Sequence, residues 1–328
     1  MGEFELIERY FKRPARRAVL GVGDDCALLA LPAGAQLAVS SDMLVQGRHF
    51  FADVDPRTLG HKALAVNLSD LAACGAEPMG FTLALALPQI DEPWLAAFAQ
   101  GLFALAEQHG CELIGGDTTR GPLNICITVM GSVPAPAGHS QALLRSGARP
   151  GDDLYVSGHL GDARLALEAL RGNIVLPPAL LQAARQRLEE PSPRIALGLA
   201  LRGLASAAMD LSDGLVGDLG HLLQASQVGA TLNTEAALAG LAARAHRDWP
   251  AAGVSPAQAL RCVLSGGDDY ELLFTAPPAA REAIHAAAQR SSTPVTCIGH
   301  IDAQPGLCLL DAAGAEMPNH FTSFDHFA

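Results

Sequence analysis

The chain has 328 residues, 49% hydrophobic and 17% charged, enough for two domains with substantial cores. Its formal net charge is −12, from 22 Lys and Arg against 34 Asp and Glu, a field that repels nucleic acid and anionic membranes. Seven cysteines with no C-x-x-C pair argue against a disulfide framework or a zinc site and fit a reducing cytoplasm.

The N-terminal stretch MGEFELIERYFKR alternates acidic and apolar residues as an amphipathic helix does, and lacks the layout of a signal peptide. Strands are predicted at CALLAL (26–31), QLAVSSDM (36–43), GFTLALAL (80–87) and LNICITVMGSV (123–133). A helix is predicted over 55–75, with Asp55 as N-cap, Pro56 in the first turn and Gly75 at its end, and a second over 92–110. The Pro- and Gly-rich stretch 134–153 marks a domain boundary, giving domains 1–137 and 138–328. Beyond it LYVSG, AAMDL, ELLFTA, VTCIGHI and LCLLD read as strands, and 162–171, 178–190, 194–206 and SDGLVGDLGHLLQAS as helices. The fold class is mixed α and β in two halves. No apolar run reaches the length of a membrane span.

The acids collect beside glycine at element ends: GVGDD, SSDM, NLSDLAACGAEP, GGDTTRG, MDLSDG and SGGDDYEL. Taken singly, each reads better as a turn or cap than as a site. Spacing sharpens some of them. Ser40 and Asp42 share one face of a strand, Asn67 and Asp70 one face of a helix. Asp210 closes a strand and Asp213 is expected in the first turn of the following helix. Oxygen-only clusters of this kind suit magnesium before calcium or zinc. The Gly-x-Gly of GVGDD would cradle a phosphate, whereas Asp24 and Asp25 would repel one. Two like charges 4 Å apart cost about 4 kcal/mol at an effective dielectric near 20, so metal ions between acid and phosphate reconcile the two signals. Lysine occurs only at 12 and 62, leaving Arg120 and Arg145 as the best-placed fixed cations. No G-x-x-x-x-G-K-[ST] loop, H-R-D or D-F-G motif occurs, which excludes P-loop and protein-kinase chemistry.

In order along the chain, GVGDD, SSDMLVQGRHF, HKALAVNLSDLAACGAEP, IGGDTTRGP, LLRSGARPGD, MDLSDGLVGDLGHL, SGGDDYELLF and FDHFA resemble the thiamine-monophosphate kinase family of the aminoimidazole-ribonucleotide-synthetase-like superfamily. The resemblance runs from about residue 3 to the last residue. RHF, SGGDDYEL and FDHF are its more specific parts.

It implies an N-terminal αβ domain that binds ATP and magnesium and pairs its strands across a homodimer, and a C-terminal αβ sandwich. The implied reaction transfers the γ-phosphoryl group of ATP to thiamine monophosphate in the cytoplasm. ATP, several Mg2+ ions and a monovalent cation are the cofactor candidates; nucleic acid and membrane are not expected partners. Position by position, Asp25, Ser40, Ser41, Asp42, Asp70, Asp117, Asp210 and Asp213 match magnesium ligands. Gly116, Asp117, Arg145 and Ser212 match nucleotide contacts, and Asp117, Asp210 and Asp213 are the catalytic candidates. His49, Asp268 and Phe324 match residues around the thiamine moiety; Asp268 stands where the family usually has Glu, and Phe324 where Tyr or Trp is commoner. An aromatic ring suits a cationic thiazolium, and a carboxylate suits an aminopyrimidine. The acceptor oxygen is already anionic, so no general base is required. Two alternatives stay open: another ATP-dependent enzyme of the superfamily, and a non-catalytic metal-binding protein. Selenide chemistry would call on a reactive cysteine, and Cys26, inside a predicted strand, reads instead as a core residue.

Overall fold

A computed structural model of the chain describes residues 2–323, which fall into two compact units. The first comprises the residues up to Leu71 together with Ala76–Ala142; the second comprises Ala72–Gly75 and the chain from Leu143 onward.

The first unit opens with a single helical turn, α1 (Glu3–Leu6), which runs into a π turn, Ile7–Phe11. Leu6, Tyr10 and Phe11 are buried there, as the amphipathic pattern requires. Its sheet contains β1 (Ala35–Val45), β2 (Glu77–Leu87), β3 (Glu112–Arg120) and β4 (Asn124–Pro134), in the order β1-β4-β2-β3. Only β2 and β3 run parallel, joined by α3 (Glu92–His109), whose N-cap Asp91 accepts from Trp94 N–H and whose C-cap is left-handed Gly110. Between β1 and β2 lies α2 (Pro56–Ala73), whose first turn is capped by Asp55 through Arg57 N–H at 2.8 Å.

Two expectations fail here. CALLAL is not a strand. Its only backbone pairing is an isolated bridge between Leu20 and Leu28, and Leu28 and Leu31 are exposed, because no neighbouring strand is there to complete a ladder. Conversely GGDTTRG is not a turn between elements. It belongs to β3, where two glycines, ordinarily turn residues, lie within a parallel pairing to Leu83 and its neighbours.

The second unit is built on a seven-stranded sheet ordered β11-β10-β7-β9-β5-β8-β6. Its strands are β5 (Asp153–Ser157), β6 (Ala207–Asp210), β7 (Gly229–Asn233), β8 (Leu272–Ala276), β9 (Val295–Asp302), β10 (Gly306–Leu310) and β11 (Glu316–Met317). The helices that matter below are α4 (Asp162–Leu170), α5 (Pro178–Glu189), α6 (Ile195–Leu201) and α7 (Leu215–Ser226). Leu154, Val156, Met209, Leu219 and Ile298 lie in its core. The five strands expected in this half are all present; β7 and β11 add to them.

A buried charge cluster ties β8 to these helices. Glu271, fully buried, accepts from both Nε and Nη2 of Arg194 (2.6 and 2.5 Å), from Arg187 Nη2 (2.8 Å) and from Ser157 Oγ (2.6 Å). Two residues earlier, buried Asp269 accepts from Gly161 N–H at the start of α4 (2.9 Å). Taking a carboxylate out of water is tolerated only with this degree of pairing. Removing it strands two guanidinium groups that are largely shielded from water. Glu271→Ala is therefore expected to destabilise the folded chain by about 3–5 kcal/mol. Thermal unfolding of the full-length protein checks this; an unchanged midpoint would show that the cluster does not hold the sheet to its helices.

Candidate functional site

The alternation of β1 sorts its polar residues onto two faces. On one, Ser40 Oγ donates to Asp70 Oδ2 (2.5 Å), and Asp42 N–H donates to Asn67 Oδ1 (3.0 Å). Asn67 Nδ2 in turn donates to Ala63 O (3.0 Å), so this buried amide clamps strand to helix and fixes its own orientation. Ser40, Asp42 and Asp70 thus come together as half-buried oxygen donors. Ser41 does not join them by its side chain. It lies on the other, exposed face, hydrogen-bonded with Thr128 Oγ1 (2.9 Å) and donating to Ile127 O (3.1 Å), so only its main chain can serve the first face. Just past β1, His49 Nδ1 accepts from Val45 N–H (3.0 Å), which places the proton of the neutral imidazole on Nε2.

A cavity of about 480 Å³ in the same unit brings Asp25, Gly116 and Asp117 together. At Gly116 the backbone has φ +148, and a Cβ would collide with the carbonyl of Leu83, so only glycine lets β3 approach β2 here. Phe4, Ile7 and Phe11 complete an apolar wall. These three were missed in the sequence, where the N-terminal amphipathic pattern signalled a packed helix and gave no hint of a pocket. A planar apolar group against that wall, with its polar end toward Asp25 and Asp117, fits the lining. Cys26, beside Asp25, is exposed, contrary to the expected core position, because the strand that would have buried it does not form.

In the second unit Asp210 ends β6 and is buried. Asp213 lies before α7 instead of within its first turn, because the helix starts only after Gly214. One oxygen of Asp218, a buried residue on α7, accepts from Ser212, Asp213 and Gly214 N–H at 3.1, 3.1 and 3.2 Å. Burial pushes the Asp218 carboxyl up to about 6, against the pull of those amides. Opposite this loop runs 268–271: Asp268 N–H donates to Ser212 O (2.9 Å), Tyr270 N–H to Leu211 O (2.8 Å), and Leu211 N–H to Glu271 O (2.9 Å). Asp268 and Tyr270 both have positive φ, and burial alternates along the segment. Asp269 and Glu271 point inward; Asp268 and Tyr270 are half-exposed. Asp210, Ser212, Asp213 and Asp268 are thus gathered on two facing segments. Arg145 is exposed on the approach to β5, its carbonyl accepting from Ser226 Oγ (2.9 Å). Phe324 and the FDHFA motif lie outside the described residues; Ser323, just before them, donates to Asp213 O at 3.4 Å.

Among the described residues no three His, Cys, Asp or Glu side chains converge as a metal cage. Magnesium keeps several waters and takes one or two carboxylates, with phosphate oxygens supplying the rest. Asp42 and Asp70 flank the contacts between β1 and α2, and Asp25 and Asp117 line the cavity, as oxygen donors of the type a hard cation takes. Among the described residues no helix is long and apolar enough to cross a membrane.

Comparison with known proteins assigns both units. The N-terminal domain of AIR synthase related proteins matches residues 23–133, and the C-terminal domain matches residues 149–310. The thiamine-monophosphate kinase of Escherichia coli (strain K12) is 47% identical over 332 residues, spanning 100% of this chain and 98% of its own. The crystal structure of thiamine-monophosphate kinase from Stenotrophomonas maltophilia K279a superposes with a TM-score of 0.81 at 43% identity, covering 93% of this chain and 94% of that one. AaThiL complexed with AMPPCP and TMP gives 0.74 at 29% identity, covering 91% of this chain and 89% of that one. With both domains matched and identity sustained over its whole length, the chain belongs to the thiamine-monophosphate kinase family.

Proposed function

We infer that the chain phosphorylates thiamine monophosphate with ATP, giving thiamine diphosphate and ADP. The observation that carries this is full-length identity of 47% to thiamine-monophosphate kinases, joined to a relative of the same fold complexed with an ATP analogue and TMP. A relative of another superfamily activity would not share this identity from end to end.

The N-terminal domain, residues 1–137, carries most of the nucleotide and metal contacts; the C-terminal domain is residues 138–328. The base occupies the cavity against Phe4, Ile7 and Phe11, and the phosphates run toward Asp25, Gly116 and Asp117. Arg145 and Ser212 contact the nucleotide. Asp25, Ser40, Asp42, Asp70, Asp117, Asp210 and Asp213 hold magnesium through their side chains, and Ser41 through its main chain. A monovalent cation is a further candidate in the same oxygen-rich surroundings. Bound magnesium supplies neutralisation of the phosphate charges and of charge that develops in transfer. The chain's own contribution is placement. Ser40 and Asn67 keep Asp70 and the backbone at Asp42 in register. His49, Asp268 and Phe324 orient the thiamine moiety, Asp268 by accepting from the aminopyrimidine. The attacking oxygen belongs to the substrate phosphate and is already anionic, so no side chain need remove a proton. Transfer is direct, with no covalent enzyme intermediate.

The exposed face of edge strand β1 carries Leu37, Val39 and Met43, 46, 58 and 51% exposed. Such an apolar edge is a liability unless paired, and a second copy of the chain is its natural cover. The work of this enzyme belongs in the cytoplasm, where ATP is available.

With ATP, magnesium and thiamine monophosphate, the purified protein is expected to make thiamine diphosphate in step with ADP, and EDTA to abolish both. Chromatography of the thiamine species decides it: ADP release indifferent to thiamine monophosphate would overturn the substrate. Asp210→Asn should lower kcat by about 10²-fold or more while leaving the circular dichroism spectrum intact; an unchanged rate would remove Asp210 from the metal site. Val39→Glu should shift the protein from dimer to monomer in light scattering, and a dimer that persists would place the subunit contact elsewhere.

A further inference from the structure

We propose that Asp218 is the positioning residue of the 210–213 loop: one of its carboxyl oxygens holds the amides of Ser212, Asp213 and Gly214 and so sets where the Ser212 and Asp213 side chains are presented. The proposal rests on the functional reading above, in which Ser212 contacts nucleotide and Asp213 contacts metal.

Three consecutive amides converge on the one oxygen, Asp218 Oδ2, at 3.1–3.2 Å, and the residue is only 2% exposed. Gly214, the N-cap of α7, supplies no side chain to do this work, and its φ of +117 is one that glycine adopts readily. Amides gathered before a helix are otherwise an anion site, the usual place to seat a phosphate. Here that site is filled from within. The other edge of the loop is fixed as well: Leu211 N–H donates to Glu271 O, and Ser212 and Leu211 carbonyls accept from Asp268 and Tyr270 N–H. With its backbone held on both edges, the loop has the half-exposed side chains of Ser212 and Asp213 left to meet ligands. Asp218 touches no reactant in this arrangement; it acts through the two residues it places.

The test compares wild type with Asp218→Asn, which keeps an acceptor oxygen but not the charge, and Asp218→Ala, which keeps neither. Three readouts are taken on the full-length protein: amide hydrogen exchange at 212–214, Mn2+ binding with ATP followed by electron paramagnetic resonance, and steady-state kinetics. Asp218→Ala should lose exchange protection at these three amides while the β8 amides stay protected. It should bind Mn2+ with ATP about 10-fold more weakly, in line with loss of a group that orients metal ligands. Its kcat should fall about 10²-fold, the penalty for a small misplacement of reacting groups. Asp218→Asn should fall between the two. Wild-type kcat and Mn2+ affinity despite lost protection would overturn the proposal, as would lost turnover with 212–214 still protected. If Asp218→Ala does not fold, the same readings on Asp218→Asn decide. If the wild-type protein fails to make thiamine diphosphate, the substrate reading falls, while exchange and Mn2+ binding with ATP still decide the role of Asp218.

Discussion

Carboxylate and phosphate repel, and this chain, at −12, must bring a nucleotide and a phosphorylated acceptor to loops crowded with aspartates. Two like charges at contact cost about 4 kcal/mol even in a moderately polar setting, and a triphosphate meeting a monophosphate multiplies such pairs. That constraint is met with only two lysines in the chain. Among the described residues the acids are not gathered into a cage, and a magnesium ion held by one or two carboxylates takes the rest of its coordination from water and phosphate oxygens. Each half of the chain supplies rigid supports for its share: the Ser40–Asp70 and Asp42–Asn67 contacts between β1 and α2, and the 211–214 and 268–271 segments beside β6 and β8.

The acids have two opposite duties. Asp162, Asp218, Asp269 and Glu271 are buried and spent on backbone amides or arginine, whereas Asp25, Asp117 and Asp268 remain accessible and Asp210, though buried, is a candidate ligand. The division is sharpest in DDYE. Positive φ at Asp268 and Tyr270 lets neighbouring residues alternate between solvent and core over four positions. Burial pushes the Asp269 carboxyl well above the ordinary range, while its neighbour one residue earlier stays half-exposed. A structural acid and a candidate substrate ligand are thus adjacent in sequence and separated by the thickness of the backbone.

Much of this was legible in the residues, and the failures have physical causes. β1, β2 and β4 carry apolar residues at period two, and α2 and α3 carry caps and glycine stops, so their positions are read directly. β3 hides because Gly115, Gly116 and Asp117 look like a turn; the close approach to Leu83 that demands glycine is a tertiary fact. CALLAL misleads for the converse reason: a strand is defined by its neighbour, and among the described residues this one has only an isolated bridge to Leu20. The wall formed by Phe4, Ile7 and Phe11 depends on where the first turns dock, which periodicity does not encode. Asp213 precedes α7 by two residues instead of lying in its first turn, because Gly214 delays the helix start. Which acids are anchors and which are ligands could not be read from spacing at all, since Asp218 and Asp213 lie close together and differ only in what surrounds them.

The three amides that close on Asp218 also bear on inhibitor chemistry. In proteins where such amides are open, a sulfonate or carboxylate mimic of phosphate can be seated by the backbone itself. Here those donors are already taken, so an anionic mimic aimed at the loop before α7 would meet Asp210 and Asp213 without compensation. Compounds that carry their own chelating group are the ones this loop would accept.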